Sequence, residues 1–133
     1  MDIENSIKRF LSREDIPFEE HQPHPTVKVL TCTIDGDLYN FKIFEDRNVF
    51  SIKAFTAIDE VALWDKAKEQ LNTLNQTMFG TFSWYETKGW IHVFTCEFEH
   101  PCAGGITANE QLIEDVAVEV HKGIKAIENL LKI

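Results

Sequence analysis

The chain has 133 residues, enough for one domain around one core, and its 44% apolar content excludes general disorder. With 22 acidic against 13 basic residues it carries a formal net charge of -9. Such a surface repels phosphate backbones, and the densest basic cluster, Lys8 and Arg9 with Arg13 a turn further on, is too small to reverse that, so no nucleic acid is expected as a partner.

The first helix is expected over DIENSIKRFLSRE, where Ile3, Ile7, Phe10 and Leu11 recur at helical spacing. It stops before Pro17, because the residue ahead of a proline resists the helical conformation. HQPHP then reads as an extended connector. TVKVLTCTI is a strand rich in β-branched residues, and the Asp-Gly of IDGDL marks a tight hairpin turn. LYNFKIF, the polar corner EDRN and VFSIKAF complete a three-stranded antiparallel meander. Leu30, Cys32 and Ile34 share one face of its first strand, while Val27 and Val29 take the other. Apolar residues on both faces imply that the second face is also partly covered, by another subunit.

The second helix spans IDEVALWDKAKEQLNTLNQTM, with Asp59 as N-cap and Val61, Trp64, Ala67, Leu71, Leu74 and Met78 as its stripe. A second hairpin follows: FGTFSWYE, a turn at Thr87-Lys88-Gly89, then WIHVFTCEFE. Period-2 spacing puts Trp90, Phe94, Cys96 and Phe98 on one face of the last strand, with His92, and Ile91, Val93 and Thr95 on the other. A final helix runs from about Ala108 to the C-terminus, with Leu112, Val116, Val120, Ile124, Ile127 and Leu131 as its stripe. The fold class is therefore α+β, one domain over 1–133, in the order helix, three strands, helix, two strands, helix, with the helices packed on an antiparallel sheet.

The opening residues MDIENSIKRF carry acids early and no apolar run, so no signal peptide is expected there. No stretch approaches the ~20 apolar residues that cross a bilayer, so no membrane association is expected. Cys32, Cys96 and Cys102 are odd in number and widely spread, which argues for reduced thiols in a cytoplasmic protein.

The stretch with most chemical promise is EHPCAGGITANEQLI, Glu99 to Ile113. His100 and Cys102 are too close together for a usual zinc pair, and neither Cys96 with His92 nor His21 with His24 completes a ligand set. As a nucleophile, Cys102 lacks a base held in place, and Gly104-Gly105 matches neither phosphate-binding loop pattern. The structural account explains more. Pro101 ends a strand, the glycines permit a sharp turn, and Thr107 with Glu110 forms a Thr-x-x-Glu capping box. The pairs Glu19–Glu20, Glu45–Asp46 and Glu114–Asp115 read as solvated surface. No catalytic residue, metal or cofactor is expected. Among the aromatics, Trp64, Trp84, Trp90 and Tyr85, those on the hairpin are core or an exposed surface for a partner.

FLSREDIPFEE, LNTLNQTMFGTFSW and GGITANEQLIEDV together resemble the YbjN family, proposed bacterial sensory transduction regulators with the fold of type III secretion chaperones. The resemblance implies a small acidic protein, often a homodimer, that binds other proteins against apolar patches and sheet edges. It brings no active site with it. The expectation is a non-enzymatic, chaperone-like or regulatory binding domain acting as a homodimer on a protein or peptide segment. Its contact residues are Trp84, Trp90, Phe94 and Phe98, with the exposed side of the final helix. The alternative is an enzyme or ligand-binding domain with a pocket near Cys96, His100 and Cys102.

Overall fold

The computed structural model describes residues 3–47, 49–58, 61–78, 80–86, 92–101 and 110–129, with the side chains at 58, 61, 86 and 92–101 outside the description. In chain order the elements are α1 (Ile3–Arg13), β1 (Phe18–His24), β2 (Val27–Ile34), β3 (Asp37–Phe44), β4 (Val49–Ile58), α2 (Val61–Thr77), β5 (Thr81–Glu86), β6 (His92–Pro101) and α3 (Glu110–Asn129). The strands form one antiparallel sheet in the order β1-β2-β3-β4-β6-β5.

The α+β reading holds, with one strand added. The segment containing HQPHP is not a free connector: Phe18–His24 pairs with β2, from Phe18 opposite Cys32 to His24 opposite Val27. The register is irregular between His21 and His24, around Pro23, which has no N–H to donate. Proline and a bulge are tolerated here because β1 is an edge strand.

Helix α1 ends through its own backbone rather than through Pro17. The Ile16 amide donates to the Leu11 carbonyl at 2.8 Å and the Asp15 amide to the Ser12 carbonyl at 3.1 Å. Asp15 takes a positive φ of 56° between them. This is a Schellman termination with aspartate at the position usually given to glycine. It turns Ile16 back against the core. At the β2–β3 turn, Asp35 and Gly36 both have positive φ, 55° and 86°, the two-residue hairpin that Asp-Gly signals.

All three helices cover one face. Across the central strands, Leu30, Phe41 and Ile52 form one register row, and Cys32, Tyr39 and Ala54 the next. Both rows are buried in a single cluster with Ile7 and Leu11 of α1, Trp64 and Leu71 of α2, and Ile113, Val120 and Ile124 of α3. On α3 the stripe centres one position later than Leu112, with Ile113 fully buried. Ion pairs stitch the layers at their rims. Glu4 of α1 holds Lys28 of β2 at 2.8 Å, and Arg13 reaches Glu114 of α3 at 2.9 Å. Lys125 of α3 meets Asp37 of β3 at 3.0 Å.

Candidate functional site

Residues directly opposite in an antiparallel ladder share a face. The rows that alternate with the core rows therefore point away from the helices. They are Val27–Phe44–Val49, Val29–Lys42–Ser51, Thr31–Asn40–Lys53 and Thr33–Leu38–Phe55. Over β2, β3 and β4 this face is apolar or hydroxylated apart from Asn40 and two lysines, and has no carboxylate, in a chain whose net charge is -9. Next to β4, Glu97 and Glu99 of β6 occupy the register positions opposite Lys53 and Ser51.

Two of the most exposed large hydrophobics belong to this face: Leu38 at 45% and Tyr85 at 44%. They line a groove of about 420 Å³ together with Asn40, Phe55, Thr56 and Ala57. Lys53 places its ammonium 5.4 Å from the centre of the Phe55 ring, keeping that aromatic partly covered. The surplus of apolar residues on the second face was legible in the sequence; the groove itself was not, because Tyr85 reaches it from a strand remote in sequence.

The sheet's two edges are blunted against a further strand. On β5, the Phe82 amide donates to the Asn75 side-chain carbonyl at 2.7 Å, and the Asn75 amide donates back to the Phe82 carbonyl at 3.1 Å. A side chain of α2 thus makes the pair of bonds that a neighbouring strand would make. On β1 the edge carries Pro23, the irregular register, and exposed Glu19, Glu20 and His21.

A second concavity lies on the helix side, where the end of α1, the middle of α3 and the β2–β3 turn meet. It measures about 630 Å³. Phe10, Ile34, Tyr39 and Ala117 line its depth and Val118, itself 45% exposed, its edge. Glu14, Asp35 and Glu114 stand around it with His121 and Lys122.

Of the residues singled out from the sequence, Trp84 lies on β5, partly exposed, with the Lys68 ammonium 3.9 Å from its ring centre. Trp84 shares the helix-covered side with Phe82, whereas its neighbour Tyr85 serves the opposite face. Trp64 is core. Phe94 and Phe98 sit on β6, their backbones opposite Thr56 and Ile52; their side chains, and those of Cys96 and His100, lie outside the description. Asp59, Trp90, Cys102, Gly104, Gly105, Thr107 and Leu131 lie outside the described residues altogether. Glu110, the other half of the expected capping box, directs its carboxylate to Arg9 at 3.5 Å and Arg13 at 3.4 Å.

Reactive arrangements are lacking among the described residues. Cys32 is buried, and burial pushes its thiol up to about 11. A thiol so protonated at neutral pH is no nucleophile. No group of three or more His, Cys, Asp or Glu side chains gathers for a metal among those residues. His24 instead pairs its Nδ1 with Thr26 at 3.0 Å, and His21 stands 3.9 Å from Glu19. The acidic pairs are solvated or salted: Glu20 meets Lys8 at 2.8 Å, and Asp115 accepts from Gln111 at 2.9 Å. No helix of the described residues is long and apolar enough to cross a membrane.

No protein-family model matches the chain, and no curated protein matches it. Solved structures do. The chain is similar to YbjN from E. coli, described as a proposed transcription regulator, with a TM-score of 0.68 at 9% identity, covering 96% of this chain and 88% of that one. It is also similar to an uncharacterized protein from Methanothermobacter thermautotrophicus, with a TM-score of 0.72 at 10% identity, covering 98% of this chain and 97% of that one. The fold is YbjN-like, and at these identities the likeness is one of fold alone.

Proposed function

We propose that this YbjN-like fold serves as a non-enzymatic binding domain, chaperone-like or regulatory, and that it works as a homodimer paired through the sheet face turned away from its helices. The observation that carries the reading is the makeup of that face. Its rows over β2, β3 and β4 hold apolar side chains, small polar ones and two lysines, and the acids of the same rows stand at the flanks, Glu19 on β1 and Glu97 and Glu99 on β6. Two acidic copies repel less across a face whose middle strands carry lysines and no carboxylate. Sheet faces also bury side chains efficiently when stacked about 10 Å apart.

The blunted edges favour docking on a face over strand addition as the mode of contact. Trp84, Trp90, Phe94 and Phe98 are proposed as contacts for the partner polypeptide, with Trp84 presenting a partly exposed ring beside Lys68. If the protein regulates transcription, as is proposed for YbjN, the charge favours acting through a protein rather than on DNA.

Mass measured in solution across a dilution series tests this directly. The wild type should be a dimer that Leu38→Asp converts to a folded monomer, since Leu38 is already 45% exposed and its loss costs the fold little. A wild type that stays monomeric at the highest concentration would overturn the dimer.

A further inference from the structure

The crevice between α1, α3 and the β2–β3 turn has the size of a ligand site, about 630 Å³, within the few hundred to one thousand cubic ångströms usual for such sites. Its depth is apolar. Phe10, Tyr39 and Ala117 are all buried, and Ile34 packs against the same core. Its mouth is edged by Val118, an exposed aliphatic on an otherwise polar surface of α3.

The charges around that mouth are unbalanced. Three carboxylates line it, Glu14, Asp35 and Glu114, against one lysine, Lys122. Glu114 is answered by Arg13 at 2.9 Å, but Glu14 meets the same arginine only at 3.4 Å. Asp35 lies 3.1 Å from His121 and 3.9 Å from Lys125, and is itself 66% exposed. Lys122 is engaged by Glu119 at 3.3 Å. Glu14 and Asp35 therefore present carboxylate to an incoming group from two different walls, the end of α1 and the tip of the hairpin.

An apolar slot flanked by acids selects a ligand with an apolar body and cationic flanks. We infer that the crevice docks a basic segment of a partner protein, one apolar side chain entering beside Val118 while neighbouring Lys or Arg residues meet Glu14 and Asp35. That the ligand is a polypeptide rests on the function proposed above; the charge preference rests on the crevice. An acidic segment would meet the same carboxylates as repulsion, which makes the site discriminating.

The test uses the full chain and two capped peptides with the same Leu-Phe centre, one flanked by lysines and one by glutamates, followed through backbone amide shifts. The lysine peptide should shift amides around Val118 and Ile34, and the glutamate peptide should shift none. Neutralising Glu14→Gln with Asp35→Asn should weaken the lysine peptide roughly three- to tenfold, as two exposed ion pairs warrant, and should flatten its salt dependence. Val118→Asp should abolish apolar insertion without unfolding an already exposed position. Equal binding of both peptides, or no shift near Val118 with either, overturns the inference. Shifts centred on Leu38 and Phe55 instead would also overturn it, while leaving a protein-binding role intact. Loss of the dimer alone would count against the function proposed above and not against the crevice.

Discussion

Asn75 of α2 closes the outer edge of β5 by exchanging two hydrogen bonds with the backbone of Phe82, at 2.7 and 3.1 Å. Its carboxamide has the same donor and acceptor as a peptide group, so it occupies the place of a seventh strand. Asn75→Ala should lower stability by about 1–3 kcal/mol in denaturant unfolding, because two backbone groups lose their partners. The opened edge should also promote self-association that grows with concentration, read by light scattering. A variant that loses stability but stays in the wild-type assembly would mean that the clasp only supports the fold.

Two carboxyl groups should shape the acid limb of the stability curve in opposite directions. Burial pulls the Glu4 carboxyl upward, but hydrogen bonds from Lys28 and Lys8 outweigh it and hold the group below the ordinary carboxylate range. Its contribution is therefore present above the unfolded-state value and lost as pH falls through the lower folded one. For Glu128, burial and then the hydrogen bond with Asp37 raise the value, so its contribution is present at low pH and lost as pH rises. Glu4→Gln should cost about 1–2 kcal/mol at neutral pH and flatten the loss on acidification. Glu128→Gln should cost less at neutral pH. Unfolding curves from pH 3 to 7 would reveal equal costs if this assignment is wrong.

Cys32 should resist alkylation in the folded protein. Its thiol is buried and pushed up to about 11 by desolvation, so thiolate is scarce at neutral pH and reagents cannot reach it. Stability should fall as pH rises from the ordinary thiol value toward that folded one, since only the unfolded state ionises there. Rapid labelling of Cys32 at neutral pH, mapped by peptide mass, would contradict this.

Backbone sign should be readable at two positions. Gly36 has a φ of 86° with nothing within 4 Å of where a Cβ would stand. Gly36→Ala should therefore cost about 1–2 kcal/mol from conformation alone. Asp15 bears the same kind of strain at φ 56°, so Asp15→Gly should gain stability by up to about 1 kcal/mol. If both changes leave the denaturation midpoint unmoved, strain at these turns is not what the φ values suggest.

Trp84→Ala should weaken partner capture more than it weakens folding, because the ring is 39% exposed and covered on one side by Lys68. Equal losses in both assays would mark the ring as part of the core.

Much of the fold was legible because its signals are local. Ile7 and Leu11, or Trp64 and Leu71, recur with the helical period and are buried as that period demands. Asp35-Gly36 announced its turn because few residue pairs tolerate two positive φ angles in succession. The strand β1 was not legible: only Phe18 in it is even partly buried, and an edge strand exposed on both sides needs no apolar alternation. The Asn75 clasp had no signal either, since an asparagine in a polar helix face looks alike whether or not a strand edge lies beside it.

By itself, the sequence determined which side chains leave water, because helical and strand periods are properties of neighbouring residues. It also set the net charge of -9. Only the tertiary structure decided which of the two faces of the sheet the helices would cover, leaving Leu38, Phe55 and Tyr85 outside and Phe41, Ile52 and Phe82 within. Strand parity is local, but the choice of face follows from where three helices, separated by strands, find enough complementary surface to dock, and that is a property of the whole chain at once.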